Sequence, residues 1–495
     1  MSRFSQYAKN VGLLVGQSFI QRILGMVTTM VLARVLGAAS FGAYSIVSNT
    51  ASSAYGLVRL GVDAAIHVHT AESSADEAAR RKTEEMLAAG LLLLLLAGVA
   101  GGLGCLIMAD WLAEHVYGKQ ELAVWIRVAA IAVFLQCISQ FCYASMVGLH
   151  RFSAYTRVMI VSALLTAITI TVGVLFAGLN GAVVAMIGAQ FLTVAWLAWA
   201  LRAELRVESL QLVLHNFFSR AGQLLKFGFP FYAVGMISIP VVYYLQGLVV
   251  RYTSLEALGY LRAITALVSI VSFVPSSASA AMVSMLARTR IEDETALADK
   301  IMGNVKMVLV FALITATVVT IVLPWLLPAI FGQEYSAATG AASLALLTAV
   351  LAAVTSVIGN ALFSVKRVDF IFLTTLVQMA VFGVGGILLI PEHGLIGYLT
   401  AELVGYLTLV VVTFWCSLRW FRRNAVQVAW LAKVIILFSL LVAYSAKVII
   451  QHGAPSMFDG LIGVAALLIV CIWGYTAILD SAERNAVLRL IGLNA

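Results

Sequence analysis

Four arginines, Arg22, Arg59, Arg127 and Arg262, lie inside apolar stretches long enough to cross a bilayer. A guanidinium at the bilayer centre costs about 2.5–3.5 kcal/mol on insertion scales, and residues that carry this cost usually face a bundle interior or a wet cavity. The group is planar, stays charged when buried and forks onto two oxygens at once, which suits a phosphate or diphosphate. Three of the four have polar company. Gln17, Ser18, Gln21, Arg22, Gly25 and Thr29 share one set of spacings; Ser45, Asn49, Ser52, Gly56, Arg59 and Asp63 form a second set; Arg262, Thr265, Ser269, Ser272, Ser276 and Ser279 form a third. Steps of three and four place each set on one helix face. Close helix packing also needs small residues. That reading accounts for the serines and glycines but not for the arginines.

The arginines differ in their surroundings. Arg22 stands eleven residues into its apolar stretch. At 1.5 Å per residue that is about 16 Å, near mid-bilayer. No acid lies within two turns of it. Arg59 has Asp63 four residues on, the spacing of an intrahelical ion pair. Arg127 is five residues from a span end and within reach of the surface by snorkelling. Glu402 is a lone acid in its stretch. Three roles fit it: a proton carrier, a partner for an arginine, or a protonated packing residue.

The elements that position these residues follow from composition. The chain has 495 residues, 62% of them hydrophobic and 11% charged. Its mean hydropathy is +1.01. Soluble domains carry about 25% charged residues. A soluble enzyme, a disordered chain and a nucleic-acid-binding domain are excluded. Unbroken apolar runs such as 91–97 exclude a membrane β-barrel, whose strands alternate. The expected fold is an all-α polytopic membrane protein of about fourteen transmembrane helices. Their limits are 11–33, 41–66, 86–108, 122–147, 158–178, 181–201, 227–249, 258–283, 305–324, 340–363, 370–390, 395–417, 430–450 and 459–479. The polar connections 67–85, 202–226 and 284–304 are the longest, and none holds a separate domain. The first span is too long for a signal peptide and has Arg22 in its middle, so it reads as a retained helix.

With the N-terminus inside, 23 of the 31 Lys and Arg residues fall in inside segments and only four in outer ones. This positive-inside bias places both termini in the cytoplasm and explains most of the net charge of +8. Trp111, Trp125, Trp199, Trp325 and Trp420 sit near span ends, as an interfacial belt would.

A repeat runs through the chain. Arg34 and Gly42 return as Arg251 and Gly259, at an offset of 217. Gly178-Leu179-Asn180-Gly181 returns as Gly394-Leu395-Ile396-Gly397, and Tyr117-Gly118 as Phe331-Gly332. The offset covers six spans, an even number, so the halves run in the same sense. Two parallel six-helix bundles are expected, residues 1–205 and 206–425, with a site between them. Residues 426–495 add two further helices.

All seven prolines follow residue 229. Pro230 and Pro240 in span 7 and Pro275 in span 8 mark candidate hinges or static kinks. Cys105, Cys137, Cys142, Cys416 and Cys471 form no CxxC pair and read as packing residues. His67 and His69 form an HxH in an expected solvated loop, and no metal site is expected. No phosphate-binding glycine loop is present, and no cofactor is expected.

Several short segments resemble the polysaccharide flippases of the multidrug/oligosaccharidyl-lipid/polysaccharide exporter superfamily. They are Gln21-Arg22-Ile23-Leu24-Gly25, Ala33-Arg34-Val35-Leu36-Gly37, Phe41-Gly42-Ala43-Tyr44, Lys226-Phe227-Gly228-Phe229-Pro230, Leu258-Gly259-Tyr260 before Pro275, and Ile330-Phe331-Gly332-Gln333-Glu334-Tyr335. The nearest branch resembles the O-antigen flippases. The resemblance implies a V-shaped cavity that opens alternately to either side. It implies a substrate of an undecaprenyl-diphosphate-linked sugar unit, moved from the inner to the outer leaflet of the bacterial inner membrane. Polysaccharide polymerase and chain-length regulator are implied as partners. Arg22 and Arg59 match positions where related lipid II flippases carry cavity arginines. Many relatives have an aspartate midway along helix 7; the nearest polar residue here is Gln246.

The expected function is therefore lipid-linked oligosaccharide flipping. Arg22, Arg59 and Arg262 would hold the diphosphate, and Gln17, Gln21, Asn49 and Ser52 the sugars. The drive is a proton or ion gradient through Asp63 or Glu402, or sugar assembly pulling from outside. Two alternatives are an ion-coupled multidrug exporter, disfavoured by the basic deep charges, and a polytopic polymerase or glycosyltransferase, disfavoured by the short outer loops.

Overall fold

Hydropathy predicts membrane helices and little else, and the computed structural model of the protein is built of them. It describes residues 3–71, 77–207, 210–271, 294–364 and 368–421, with Val442; no strand occurs among them. In chain order the helices are α1 (Arg3–Val58), α2 (Val62–Ala71), α3 (Glu77–Trp111), α4 (Ala123–Gly148), α5 (Phe152–Val207), α6 (Phe217–Tyr252), α7 (Leu255–Val271), α8 (Glu294–Phe331), α9 (Thr339–Ser364) and α10 (Val368–Phe421). A π turn, Leu112–Val116, and short 3-10 turns at Gln120–Leu122 and Gln333–Ala338 complete the list.

Among the described residues, eight segments are long and apolar enough to cross a membrane. Three of them, Gly16–Val58, Phe152–Val207 and Phe370–Thr413, contain 43, 56 and 44 residues. About 20 residues suffice for one crossing, and each of the three is broken near its middle by a glycine: Gly37, Gly178 or Gly394. Taken as two crossings each, they correspond to expected spans 1 and 2, 5 and 6, and 11 and 12. The other five correspond to spans 3, 4, 7, 9 and 10. Span 8 is described only in its first part, α7, and spans 13 and 14 lie outside the described residues.

The breaks make the repeat visible in the backbone. Gly178 has φ 54 and ψ −133, and Gly394 has φ 56 and ψ −126. This left-handed conformation suits glycine, which has no Cβ to clash. Beyond each break the chain folds back on itself. Gly181 packs against the carbonyl of Gly173, and Gly397 against that of Leu389. The two contacts sit at the same offset of 216 as the glycines themselves. Tyr117 and Phe331 are also matched: both are 1% exposed and precede a positive-φ glycine.

The chain forms two compact units, Met1–Arg262 and Ala263–Ala495. In the first, Tyr55, Ile66, Met86, Leu94, Phe141 and Leu224 belong to one apolar core. Cys137 and Cys142 lie in it as free thiols, and Cys105 is also buried and free. In the second, Leu313, Leu323, Leu327, Leu346 and Val350 are buried. Apolar side chains also point outward: Ile107 is 79% exposed and Phe176 87%. In a bilayer such residues meet lipid. The repeat boundary near residue 205 is a proposal about the two sequence halves, distinct from these units.

One expected limit is corrected. Span 2 does not run to residue 66. Helix α1 ends at Val58, Leu60 and Gly61 take positive φ values of 49° and 71°, and α2 begins at Val62. The apolar run continues through this turn, so hydropathy does not register it. The HxH is likewise on a helix, α2, rather than in a solvated loop; His69 is half-buried, its ring edge-on to Phe227 with centroids 5.1 Å apart.

Candidate functional site

The polar face of span 1 survives as a face. Gln17 is buried and donates to Gln21 at 2.6 Å, and Thr29 donates to the Gly25 carbonyl at 2.8 Å. Arg22 is half-buried between them. A Cβ added at Gly16 or Gly25 would meet nothing within 4 Å, so there is room beside this face.

The face of span 2 divides in two. Its outer half is packing. Ser45 is buried and donates to Phe41 at 2.8 Å. Asn49 donates from Nδ2 to Gln246 of α6 at 3.0 Å, and Thr50 meets the Tyr243 hydroxyl at 2.9 Å. Gly42 lies against the Leu255 carbonyl, and Gly259 against the Ala38 carbonyl. Residue 38 and residue 255 are 217 apart, as are the two glycines. The repeat-related helices therefore meet reciprocally here, which only glycine permits at such close backbone approach. Lower down, Ser52 is exposed, while Gly56 packs on Ile239. Gln246, the residue in place of the relatives' aspartate, is thus engaged by Asn49.

Arg59 follows the last residue of α1, and Asp63 occupies the first turn of α2. Their ion pair exists, with Nη1 2.8 Å from Oδ2. It is not intrahelical, because it bridges the turn at Leu60–Gly61. The Tyr55 hydroxyl donates to the same oxygen at 3.2 Å, and the guanidinium carbon is 5.8 Å from the Tyr55 ring centre. A cation at a helix C-terminus and an anion at a helix N-terminus both complement the helix dipoles. The turn is clamped from α6: Gly61 and Gly228 pack on each other's carbonyls, and the Tyr232 hydroxyl donates to the Leu57 carbonyl.

Arg262 lies half-buried in α7, within electrostatic reach of Tyr44. Glu402 is half-buried in α10, one turn before Tyr406 and on the helix that carries the buried Gln378. Pro230 and Pro240 lie within α6, which continues through both; Pro275 lies outside the described residues, as do Ser272, Ser276 and Ser279.

Sequence reasoning missed several partners. Arg127 does not simply snorkel. Its Nη2 donates to both Asp110 oxygens, at 2.8 and 2.7 Å. Arg251 donates to the His115 carbonyl at 2.8 Å. Glu85 is 3% exposed and accepts from Arg220 at 2.8 Å, with Arg81 at 3.6 Å. Its neighbour Glu84 accepts from the Gln211 backbone at 2.9 Å. Apart from Arg81 and Glu85, which are four residues apart, these partners are 17 to 136 residues apart, beyond any local spacing rule. No signal in the sequence marked Glu85, which closes the charged run 80–85.

The described residues form a multi-pass helical chain with polar faces that carry arginines, matched glycine breaks at Gly178 and Gly394, and reciprocal glycine contacts at Gly42 and Gly259. The chain belongs to the polysaccharide biosynthesis protein family, whose model matches residues 7–290. Its fold is that of the superfamily of multidrug and lipid-linked oligosaccharide exporters. The lipid II flippase MurJ, in an inward closed conformation, superposes with a TM-score of 0.71 at 12% identity, covering 97% of this chain and 99% of that one. An inward-facing multidrug resistance transporter of the MATE family gives 0.62 at 17% identity, covering 81% and 94%. A transporter of the same superfamily from Pyrococcus furiosus, described as having a binding pocket of reverse polarity, gives 0.58 at 14%, covering 84% and 97%. No curated protein sequence matches the chain. These neighbours are transporters and a flippase, and the likeness to them is one of fold.

Proposed function

We propose that the chain flips an undecaprenyl-diphosphate-linked oligosaccharide, an O-antigen or similar repeat unit, from the cytoplasmic to the periplasmic leaflet of the inner membrane. The observation that carries this reading is the sign of the deep charge. Arg22, Arg59 and Arg262 lie on polar faces of spans 1, 2 and 8, and a diphosphate carries about two negative charges that hydrocarbon excludes. Arginine forks match its oxygens. Gln17, Gln21 and Ser52 supply hydrogen bonds for sugars, while Asn49, expected to join them, is engaged by Gln246 of α6. The lipid tail stays in the bilayer while the two halves rock in alternating access. Both termini are cytoplasmic by the positive-inside bias. Glu402 is the better-placed group for ion or proton coupling, since Asp63 is engaged by Arg59. A polymerase and a chain-length regulator act on the product outside.

The multidrug alternative shares the fold. Cationic drugs need acidic cavities, and the basic stripes argue against them. Complementation of a flippase-deficient strain tests the reading. The wild-type gene restores surface polysaccharide, Arg22→Ala does not, and Arg22→Lys restores it in part. Full restoration by both variants at normal expression contradicts the anion cradle. Drug resistance on overexpression, without restoration, selects the alternative.

A further inference from the structure

We propose that Asp63 is an internal stand-in for the substrate's phosphate: it holds Arg59 until a diphosphate arrives and displaces it. The inference rests on the flippase reading above and specifies how one of its arginines is regulated.

The grip on Arg59 is incomplete. Strong arginine–carboxylate pairs use two parallel hydrogen bonds. Here one nitrogen, Nη1, meets one oxygen, Oδ2. Arg59 Nε and Asp63 Oδ1 are both buried without a hydrogen-bond partner. A buried donor left unmade is a standing penalty. A phosphate of the diphosphate, with two non-bridging oxygens, can satisfy Nε and Nη1 together, which Asp63 does not do from its place in α2.

The partners are also unequally accessible. The Arg59 side chain is 37% exposed and that of Asp63 14%. An incoming anion therefore reaches the guanidinium without first reaching the carboxylate. After displacement Asp63 is not stranded, because Tyr55 still donates to Oδ2 and the first turn of α2 favours an anion. The Tyr55 ring beneath the guanidinium remains a platform for it. The same competition runs in reverse at release, when Asp63 reclaims Arg59 and helps discharge the substrate.

Capture by Asp63 lowers apparent affinity by the fraction of molecules in which Arg59 is free. For a partly exposed pair this is a factor of about three to ten. The test uses the purified full chain in lipid nanodiscs, with farnesyl diphosphate as probe and calorimetry as readout. Asp63→Asn is expected to bind the probe about three- to tenfold more tightly than wild type. In an Arg59→Gln background the same substitution is expected to change nothing. If Asp63→Asn unfolds, Asp63→Ser, a smaller neutral side chain, carries the same expectation. Equal or weaker binding by a folded Asp63 variant, or a gain that survives Arg59→Gln, overturns the proposal. Arg22-dependent binding with no Asp63 effect overturns it and leaves the flippase reading standing. Absence of diphosphate binding in every variant, wild type included, overturns both.

Discussion

Two arginine–aspartate pairs occupy the first compact unit, and they do different work. Arg127 and Asp110 are 17 residues apart and about half exposed, with both carboxylate oxygens filled and Gln120 adding a contact at 3.3 Å. Arg59 and Asp63 flank a left-handed turn, are more buried, and leave one donor and one acceptor unmade. The first pair is a saturated staple between α3 and α4 at the end of the expected outer loop. The second retains bonding capacity. An ion pair in a membrane protein is thus informative less by its existence than by what it leaves unsatisfied.

The contrast is breakable by substitution. Arg59→Gln is expected to have the largest effect on transport, a loss of about tenfold to a hundredfold, the usual worth of a charged hydrogen bond. Vesicle flipping rates at matched protein levels check it. Glu85→Ala is expected to have the largest effect on stability, about 3 kcal/mol, because it strands Arg220 beside a buried site. A lowered melting temperature in detergent is the readout. Asp63→Asn should leave the melting temperature near wild type and slow turnover by about threefold to tenfold, as tighter substrate binding delays release. Single-turnover and steady-state flipping separate the two steps. Arg127→Gln should do least: it costs at most about 1 kcal/mol, an effect that fades with salt, and leaves flipping unchanged. A flipping defect there as large as that of Arg59→Gln would erase the distinction.

Much of the fold was legible because lipid imposes it. Runs of apolar residues marked the crossings, and the glycines of the Gly-Leu-Xaa-Gly repeat marked two of the three mid-helix breaks. The turn at Leu60–Gly61 was not legible. Leu60 is apolar, the run continues to Ile66, and the positive φ is set by packing of Gly61 on Gly228, 167 residues away. The polar stripes were legible as faces but not as roles. Ser45 and Asn49 share a stripe with Ser52, yet the first packs on its own helix and the second on Gln246 of α6. Only the position of the partner helix separates them. Asp110 and the Arg220 contact of Glu85 were missed for the same reason: spacing rules see along one helix, and Arg127 and Arg220 lie on others.

The central claim is that deep arginines carry a lipid-linked diphosphate across the membrane. Its most direct test is translocation of a fluorescent undecaprenyl-diphosphate oligosaccharide in vesicles that contain only this protein. Wild type is expected to make the lipid accessible to an external quencher or enzyme, with a loss of about tenfold or more in Arg22→Ala and partial recovery in Arg22→Lys. Translocation at the wild-type rate by both variants would contradict the account.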